Sequence, residues 1–311
     1  MKYIFGIDLG GTTVKLGLFD QEGLLLEKWE IKTRTEDNGK YIITDIASSV
    51  EGKIKEKAIN KSDVLGVGIA VPGPVVNDST VLECVNLGWG VKNVSEELGD
   101  LLGVEVFLGN DADIAALGEM WQGGGKGYNS IFMVTLGTGV GGGLVIDGRI
   151  ITGANGTAGE IGHVTVDFNE ELSCNCGKKG CLEQYASATG ITRLGRKLLA
   201  NSSEPSKLRD FEELSAKDIF DSAKEGDKLA CDLTNTFGRY LGIALAHVAQ
   251  LVDPQVFVIG GGVSRAGQII IDVCKDHYKN NVMKSIKNTE IKLAELGNDA
   301  GIYGSAKMVL K

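Results

Sequence analysis

The chain has 311 residues, of which 32 are Lys or Arg and 41 are Asp or Glu, so its formal net charge is −9. Hydrophobic residues make up 43% and charged residues 23%, which is typical of a globular protein and excludes a disordered chain. The length favours two lobes over one compact core. The acidic balance disfavours nucleic-acid binding, because that interaction depends on neutralising backbone phosphates.

The sequence contains neither a recognisable membrane span nor a secretion signal. No apolar run approaches the roughly 18 residues that indicate a membrane-spanning helix. Asp8 follows the N-terminus too soon for a signal peptide. We therefore expect a cytoplasmic protein that binds neither membranes nor nucleic acid.

The predicted elements alternate between strands and helices, which indicates an α/β fold. The first three strands are expected to form an antiparallel meander with tight connections. In chain order, we predict strands at 3–9, 14–19 and 24–31, a helix within 38–59, a strand at 64–71, a helix at 94–102, a strand at 104–108, a helix at 112–120, a long buried helix at 229–251, a strand at 255–259 and a closing helix at 301–311.

The sequence around residue 131 resembles the beginning of the chain. Residues 131–139 match residues 4–12 at a constant offset of 127, and in both copies a strand meets a Gly/Thr turn and then a second strand. An aspartate follows in each copy, at Asp20 and Asp147. This pattern indicates an internal duplication with a domain boundary between residues 110 and 130.

Glycine is the unusual residue, with 44 in the chain, about twice the average usage. Three predicted strands end in turns rich in glycine or threonine, a composition that brings backbone N–H groups and hydroxyls close to phosphate oxygens. They are Gly10, Gly11, Thr12 and Thr13, then Gly137, Thr138 and Gly139, and finally Gly261 and Gly262. The alternative is that each is only a tight turn that needs positive φ. No Walker A motif is present, and the dinucleotide fingerprint does not follow the first strand.

Two charged residues accompany the first of these turns. Asp8 ends the first strand, where a carboxylate can hold hydrated Mg²⁺ against nucleotide phosphates. The alternative is that Asp8 caps its own turn. Lys15, on the next strand, is a candidate cation for the phosphates.

Three of the six cysteines form a cluster with metal-ligand spacing. Cys174, Cys176 and Cys181 follow the pattern Cys-x-Cys-x₄-Cys with two internal glycines, which lets three thiolates converge on Zn²⁺. His163 is the expected fourth ligand, because His247 lies in the long apolar helix as a core residue and His277 lies in a polar, solvated helix. A site with four protein ligands is structural rather than catalytic. The alternative is a set of reduced structural thiols.

Zinc at this position would hold two carboxylates in place. Glu160 precedes His163 by three residues, and Glu183 follows Cys181 by two. A metal-bound imidazole keeps one N–H free to donate a hydrogen bond. Such a group of acceptors and a donor suits a ligand with many hydroxyls.

These motifs together resemble known protein families. Asp-Leu-Gly-Gly-Thr-Thr at 8–13 and Leu-Gly-Thr-Gly at 136–139 are similar to the sugar kinase/actin/Hsp70 superfamily. The stretch from Gly-Glu-Ile-Gly-His at 159–163 to Glu183 resembles the ROK family, and within it the bacterial glucokinases. Residues 71–74, 86–89, 110–112 and 116–121 extend this resemblance over essentially the whole chain.

The resemblance implies two ribonuclease-H-like, actin-like ATPase lobes with ATP in the cleft between them and a zinc knuckle in the second lobe. The lobes would be residues 1–111, with a C-terminal helix at about 299–311 packing back on them, and residues 112–298. ATP, Mg²⁺ and structural Zn²⁺ are the implied cofactors. A homodimer or homotetramer is the implied assembly.

The resemblance also implies the roles of individual residues. Asp111 would be the catalytic base, although an aspartate before Ala112 is also a good helix N-cap. Sugar hydroxyls would be bound by Gly73, Asn110, Asp111, Glu160, His163 and Glu183. Asp113 departs from the glucokinase pattern, which usually has asparagine there, and would alter the charge near the base.

The resulting functional expectation is ATP-dependent phosphorylation of glucose to glucose 6-phosphate. A kinase for another hexose, such as fructose, mannose or N-acetylmannosamine, is the alternative, because a few hydrogen bonds read hydroxyl stereochemistry. The phosphoryl donor could also be ADP or polyphosphate. A sugar-responsive regulator is disfavoured, because the first strand begins at residue 3 and leaves no room for an N-terminal DNA-binding module.

Overall fold

The computed structural model describes residues 1–310, so the last residue of the predicted closing helix lies outside the described residues. The chain forms two compact units. Unit 1 contains Met1–Gly127, Gly148–Ala158 and the C-terminal segment from Asn298, and unit 2 contains Tyr128–Asp147 and Gly159–Gly297. The predicted lobe boundary between 111 and 112 lies within unit 1 and stays a prediction. Within residues 1–310, no helix has both the length and the apolar character of a membrane span.

The elements alternate along the chain as an α/β fold requires. The strands are β1 (Tyr3–Leu9), β2 (Thr13–Asp20), β3 (Leu25–Lys32), β4 (Val64–Val71), β5 (Val75–Val76), β6 (Thr80–Val81), β7 (Lys92–Asn93), β8 (Val106–Asn110), β9 (Ile131–Leu136), β10 (Val140–Ile146), β11 (Arg149–Ile150), β12 (Val256–Gly260) and β13 (Glu290–Leu293). The helices are α1 (Glu36–Gly39), α2 (Ile42–Glu56), α3 (Val94–Leu102), α4 (Asp111–Gln122), α5 (Glu183–Ala186), α6 (Ala188–Asn201), α7 (Ala216–Lys224), α8 (Lys228–Val252), α9 (Ile269–Asn281) and α10 (Ala300–Val309).

The sheet of unit 1 begins with the predicted antiparallel meander of β1, β2 and β3. Strand β4 then lies parallel to β1, and β8 lies parallel to β4, which gives the order β3-β2-β1-β4-β8. Only Leu65 of β4 is exposed, as expected for a parallel strand that is covered on both faces. Apolar side chains of α2, such as Ile46 and Val50, join the core on one face.

Unit 2 repeats this strand arrangement. Strand β9 pairs antiparallel with β10 and parallel with β12, and β12 pairs parallel with β13. Residues 4–9 and 131–136, which are related by the offset of 127, therefore occupy equivalent strands. The 25-residue helix α8 supplies much of the core, together with α6, α7 and α9. The predicted duplication is confirmed at the level of strand order.

The C-terminal helix α10 packs against β1, β4 and α4 of unit 1, and its backbone is in direct contact with theirs. A Cβ atom on Gly304 would overlap the carbonyl oxygen of Ile114, and one on Gly118 would overlap that of Ala300. A Cβ atom on Gly68 of β4 would likewise overlap the carbonyl oxygen of Ser305. Helix α4 therefore belongs to unit 1, because its contact with α10 depends on this close approach.

We expect Gly304→Ala to lower the free energy of unfolding by about 2 kcal/mol, because overpacking a close contact typically costs about 1–3 kcal/mol. Overlap with a backbone carbonyl oxygen places the cost at the upper end of this range, about 3 kcal/mol, and the gain of about 1 kcal/mol that alanine brings to a helix interior offsets part of it. Urea denaturation followed by circular dichroism measures the difference.

The matched control is Gly52→Ala in α2, where an added Cβ meets no atom within 4 Å. This variant keeps the helix-propensity gain without the overlap, so its stability should rise by up to about 1 kcal/mol. Equal stability of Gly304→Ala and the unmodified protein would contradict the packing described for α10.

Candidate functional site

The site residues predicted from the sequence are divided between the two units. Unit 1 holds Asp8, Gly10, Gly11, Thr12, Thr13, Lys15, Gly73, Asn110 and Asp111. Unit 2 holds Gly137, Thr138, Gly139, Glu160, His163, Cys174, Cys176, Cys181, Glu183, Gly261 and Gly262. Each unit therefore contains one glycine-rich hairpin turn and one group of the predicted site residues.

Asp8 faces Lys15 across the β1–β2 hairpin. Lys15 Nζ lies 3.5 Å from Asp8 Oδ2 and donates to the carbonyl oxygen of Asn298 at 3.0 Å. Burial raises the pKa of the Asp8 carboxyl, and the charge of Lys15 opposes that rise. About a quarter of the Asp8 side chain remains exposed. Carboxylate oxygens are the ligands that Mg²⁺ prefers, so Asp8 fits the predicted magnesium ligand.

The first glycine turn leaves open space in front of its backbone. Gly10 donates to the carbonyl oxygen of Thr13, and its own carbonyl oxygen accepts from the hydroxyl of Thr33 at 2.7 Å. Neither Gly10 nor Gly11 has a positive φ. A Cβ atom on Gly11 would meet only the side chain of Asn86, at 3.8 Å. Backbone conformation therefore does not require glycine at position 11, and the open space suits a phosphate group.

Asn110 and Asp111 form the start of α4, at the carboxyl end of β8. Asn110 is the N-cap, and its Oδ1 accepts from the N–H groups of Ala112 at 3.0 Å and Asp113 at 3.4 Å. Asp111 Oδ1 also accepts from Ala112, at 2.8 Å. The capping position predicted as an alternative for Asp111 is thus occupied by Asn110, which leaves Asp111 in the first turn of the helix.

The environment of Asp111 raises the pKa of its carboxyl. Part of the side chain faces solvent, but loss of water to the surrounding protein raises the pKa above the usual aspartate value. The N–H group of Ala112 lowers the pKa, and the negative charge of Asp8 raises it. A carboxylate with a raised pKa is a stronger base than an ordinary aspartate.

Gly73 supports Asn110 through its backbone. Its carbonyl oxygen accepts from Asn110 Nδ2 at 3.0 Å. Gly73 has φ of 105°, and a Cβ atom there would overlap the carbonyl oxygen of Glu83. The turn therefore requires glycine, and its carbonyl group holds the amide of Asn110 in place.

The glycines in the two turns of unit 2 differ in whether the local structure requires glycine. A Cβ atom on Gly137 or Gly262 would meet no atom within 4 Å, so both positions leave the backbone open. Gly261 has φ of 85°, and its Cβ would lie 2.5 Å from the carbonyl oxygen of Leu136, at the end of the neighbouring strand β9. The alternative of a tight turn with positive φ therefore accounts for Gly261 but not for Gly137 or Gly262.

The predicted metal ligands converge in unit 2. The ligand atoms of His163, Cys174, Cys176 and Cys181 all lie within 4.8 Å of one another. His163 Nδ1 is 3.7 Å from Cys174 Sγ, and Cys176 Sγ is 3.6 Å from Cys181 Sγ. Ligands about 2.3 Å from a tetrahedral Zn²⁺ are about 3.8 Å apart, so the four residues fit zinc. All six cysteines are free thiols rather than disulfides.

Glu183 lies between this cluster and the second glycine turn. Its Oε1 accepts from Cys174 Sγ at 2.8 Å and lies 3.8 Å from His163 Nδ1. Its Oε2 would lie 2.8 Å from a Cβ atom on Gly139. Glu160 is exposed and contributes its backbone, whose carbonyl oxygen accepts from the N–H of His163. Of the two predicted carboxylates, only Glu183 contacts the cluster.

The other two histidines differ from their sequence-based descriptions. His247 is exposed, because it lies on the polar side of α8 while Ala246 and Ala249 face the core. The prediction of a core histidine was therefore wrong. His277 is half-buried, and its Nε2 is 3.0 Å from Oδ1 of Asn235, so it is not simply solvated. Neither histidine belongs to the metal cluster.

Comparison with known proteins agrees with this fold and motif set. A sequence profile of the ROK family matches residues 4–311. A glucokinase of Halalkalibacterium halodurans is 40% identical over an alignment of 313 positions, which covers 99% of this chain and 95% of that protein. The N-acetylgalactosamine kinase AgaK of Shewanella sp. is 33% identical over 314 residues, covering 97% and 95%.

A solved structure extends the comparison to the backbone. The crystal structure of a ROK family glucokinase from Streptomyces griseus, in complex with glucose and AMPPNP, has a TM-score of 0.74 and 31% sequence identity, and the match covers 98% of each chain. This chain thus has the α/β, actin-like fold of the ROK sugar kinases. It belongs to the ROK family, as its motifs predicted.

We expect the measured pKa of Asp111 to lie above 3.8 and to fall in Asp8→Asn, because that change removes the negative charge that disfavours the ionised form. Carbon-13 NMR of the carboxyl groups across a pH series, without nucleotide or Mg²⁺, measures both values. The exposed Asp100 of α3 offers the control variant Asp100→Asn, which should leave the pKa of Asp111 unchanged. An unchanged value in Asp8→Asn would contradict the coupling.

Proposed function

We propose that this protein phosphorylates glucose at its 6-hydroxyl with ATP as the donor. The observation that carries the proposal is Asp111, a carboxylate of raised pKa presented by the Asn110-capped helix of a ROK family chain. The 40% identity to a glucokinase and the likeness to a ROK glucokinase structure that contains glucose support this choice of sugar.

In the proposed reaction, the sugar oxygen attacks the γ-phosphorus of ATP. A bond forms between that oxygen and phosphorus, the bond from phosphorus to the β,γ-bridging oxygen breaks, and ADP leaves with the electron pair. Asp111 accepts the proton of the hydroxyl as the new bond forms. A positioned general base of this kind contributes roughly 10²–10⁴-fold to the rate.

The glycine turns are proposed to bind the phosphates of the nucleotide. Open backbone at Gly11, Gly137 and Gly262 supports this role, because N–H groups there can approach phosphate oxygens closely. Asp8 would hold a hydrated Mg²⁺, whose charge stabilises the phosphate oxygens as the phosphoryl group moves. Lys15 would keep the Asp8 carboxylate ionised.

Sugar hydroxyls are proposed to be bound by Gly73, Asn110, Glu160, His163 and Glu183. His163 would bind Zn²⁺ through Nδ1, which is the nitrogen near Cys174, and this leaves Nε2–H to donate to a hydroxyl. Zinc held by one histidine and three cysteines has a closed coordination shell and therefore a structural role. The implied homodimer or homotetramer and the cytoplasmic location stay predictions.

A kinase for another sugar is the alternative function. The N-acetylgalactosamine kinase at 33% identity supports this alternative, because it covers nearly the whole chain at an identity close to that of several glucokinases. Release of ADP from Mg·ATP across a panel of hexoses and N-acetylhexosamines separates the two. The highest kcat/KM for glucose supports the main proposal, and the highest value for another sugar replaces only the name of the substrate.

We expect Asp111→Asn to reduce glucose turnover by at least about 10²-fold, because the amide cannot accept the hydroxyl proton. Glucose binding should persist, since the amide keeps the size and one acceptor oxygen of the carboxylate. Coupled measurement of ADP release gives turnover, and calorimetry gives glucose binding.

The control for this variant is Asp100→Asn, which removes an exposed carboxylate of unit 1 from outside the proposed site. It should retain the turnover of the unmodified protein. If Asp111→Asn turns over glucose at the normal rate, the assignment of the general base is wrong.

We also expect the purified protein to contain one zinc ion per chain, and Cys176→Ser to lose it and to melt at a lower temperature. Inductively coupled plasma mass spectrometry and thermal denaturation measure these two quantities. Cys231→Ser is the matched control, because Cys231 is an exposed thiol outside the cluster. A metal-stripped protein with full activity and an unchanged melting temperature would contradict the structural role of zinc.

A further inference from the structure

The loop between the first two metal ligands carries two carboxylates that none of the roles above involves. His163 and Cys174 bound this loop, and Asp167 and Glu170 lie inside it, each four residues from a ligand. We call the longer segment 163–181, which contains all four predicted metal ligands, the metal loop. Both carboxylates point back into unit 2 rather than to solvent, because side chains of three of its helices donate to them.

These donors form a compact network. Tyr185 Oη lies 3.1 Å from Asp167 Oδ2 and 2.9 Å from Glu170 Oε2, and Tyr240 Oη donates to Asp167 Oδ2 at 2.8 Å. Arg193 Nη2 donates to Glu170 Oε2 at 2.8 Å. We call Asp167, Glu170, Tyr185, Arg193 and Tyr240 the tyrosine clamp.

The clamp anchors the metal loop to rigid parts of the unit. Tyr185 belongs to α5, Arg193 to α6 and Tyr240 to the long helix α8. The rings of Tyr185 and Tyr240 are 4.1 Å apart between centroids, and both residues are buried. Three helices therefore converge on two carboxylates of one loop.

The protonation states favour these hydrogen bonds over a wide pH range. Burial and the nearby Asp167 raise the pKa of Tyr240 to about 12, and burial and the nearby Glu170 also raise the pKa of Tyr185. The N–H of Asn169 and the two phenols lower the pKa of Asp167. Both phenols are thus donors, and Asp167 is an ionised acceptor, so the bonds are charge-assisted.

A further contact links the network to the backbone around the ligands. Gln184 Oε1 accepts from the N–H of Cys181 at 3.0 Å, and its Nε2 donates to the carbonyl oxygen of Leu172 at 3.0 Å. Arg193 donates to the carbonyl oxygen of Gln184 at 2.9 Å. The side chain of Gln184 therefore links the backbone of Leu172, two residues before Cys174, to the backbone of Cys181, without any contribution from a metal.

We propose that the tyrosine clamp holds the metal loop in its ligand-binding geometry before zinc binds, and that Tyr185, Arg193 and Tyr240 are positioning residues for the metal. The same clamp sets the position of α5, which begins with Glu183. Zinc would then bind to a loop whose ligands are already in position. The retention of zinc would depend on phenol groups that do not coordinate it. The effect on Glu183 rests on the proposed sugar-kinase function, but the effect on zinc does not.

The alternative is that the two tyrosines only fill the core. Replacement by phenylalanine separates the two roles, because it keeps the stacked rings and removes only the hydroxyls that donate to Asp167 and Glu170. Tyr278→Phe is a matched control, since Tyr278 is also buried in unit 2 and its hydroxyl donates to the carbonyl oxygen of Ile286 at 2.8 Å, outside the metal loop.

The first test measures zinc release from the full-length protein to a chromogenic chelator, without sugar or nucleotide. We expect Tyr185→Phe/Tyr240→Phe to release zinc about 10- to 100-fold faster, the range typical for the loss of groups that orient metal ligands. The control Tyr278→Phe should release zinc at the unmodified rate. An unmodified release rate in the double variant would overturn the proposal.

The second test examines the loop without metal. In metal-stripped protein, we expect the Val166 amide, which donates to the carbonyl oxygen of Gly180 at 2.8 Å, to stay protected from hydrogen exchange. In the metal-stripped double variant, it should exchange at least about tenfold faster. Fast exchange in the unmodified metal-stripped protein would show that zinc, and not the clamp, shapes the loop.

A third measurement connects the clamp to the proposed reaction. The zinc-loaded double variant should have a raised KM for glucose and a kcat within about twofold of the unmodified protein, because the clamp acts through Glu183 and not through Asp111. If the double variant does not fold, Asp167→Asn repeats all three tests, since it removes the charge of the shared acceptor and replaces one of its two oxygens by an NH₂ group. If only the kinetic test fails, the proposed sugar-binding role of Glu183 is wrong. If zinc release is not accelerated, the proposed role of the tyrosine clamp is wrong.

Discussion

Contact between backbones, possible only where side chains are absent, is the constraint on which unit 1 depends. Helix α10 lies against β1, β4 and α4 at positions where Gly6, Gly68, Gly118 and Gly304 leave no Cβ atom in the way. This contact joins β1, whose carboxyl end carries Asp8, to α4, whose first turn carries Asp111, within the same compact unit. Much of the high glycine content thus serves packing, while Gly11, Gly137 and Gly262 leave the backbone open to a ligand.

Unit 2 combines an apolar core around α8 with a polar network at its metal loop. The metal loop is mostly irregular, and its internal backbone hydrogen bonds, such as those from Val166 to Gly180 and from Cys174 to Lys178, are supplemented by side-chain contacts. Four ligand atoms converge at one side of the loop, and the hydroxyls of buried tyrosines donate to its two carboxylates at the other. Glu183 contacts both Cys174 of the cluster and Gly139 of the hairpin turn, which also contains the open position Gly137.

Much of this architecture could be predicted from the sequence because its signals are local. The strands at 3–9 and 64–71 and the helix at 94–102 have the predicted bounds, since each is a continuous apolar or amphipathic run bounded by a glycine, a proline or a capping asparagine. The four metal ligands were predicted for the same reason, because thiolate chemistry and spacing are visible within 19 residues.

The remaining features depend on contacts between distant residues. Tyr240 meets Asp167 across 73 positions of sequence, and no period or motif connects them. The exposure of His247 was predicted wrongly, because the apolar neighbours of a residue in a 25-residue helix do not reveal which side of the helix faces solvent. Strands of two residues, such as β5 and β6, carry no alternation that a sequence could display.

The position of α10 has a consequence for the order in which the two units can fold during synthesis. The strands and helices up to Asn110 are synthesised early, but the helix that covers β1 and β4 lies about 190 residues later. At typical elongation rates of about 5–20 residues per second, that interval lasts about 10–40 s. During this time the faces of β1 and β4 that α10 covers are exposed on the nascent chain, so unit 1 completes its fold only after the ribosome has finished unit 2.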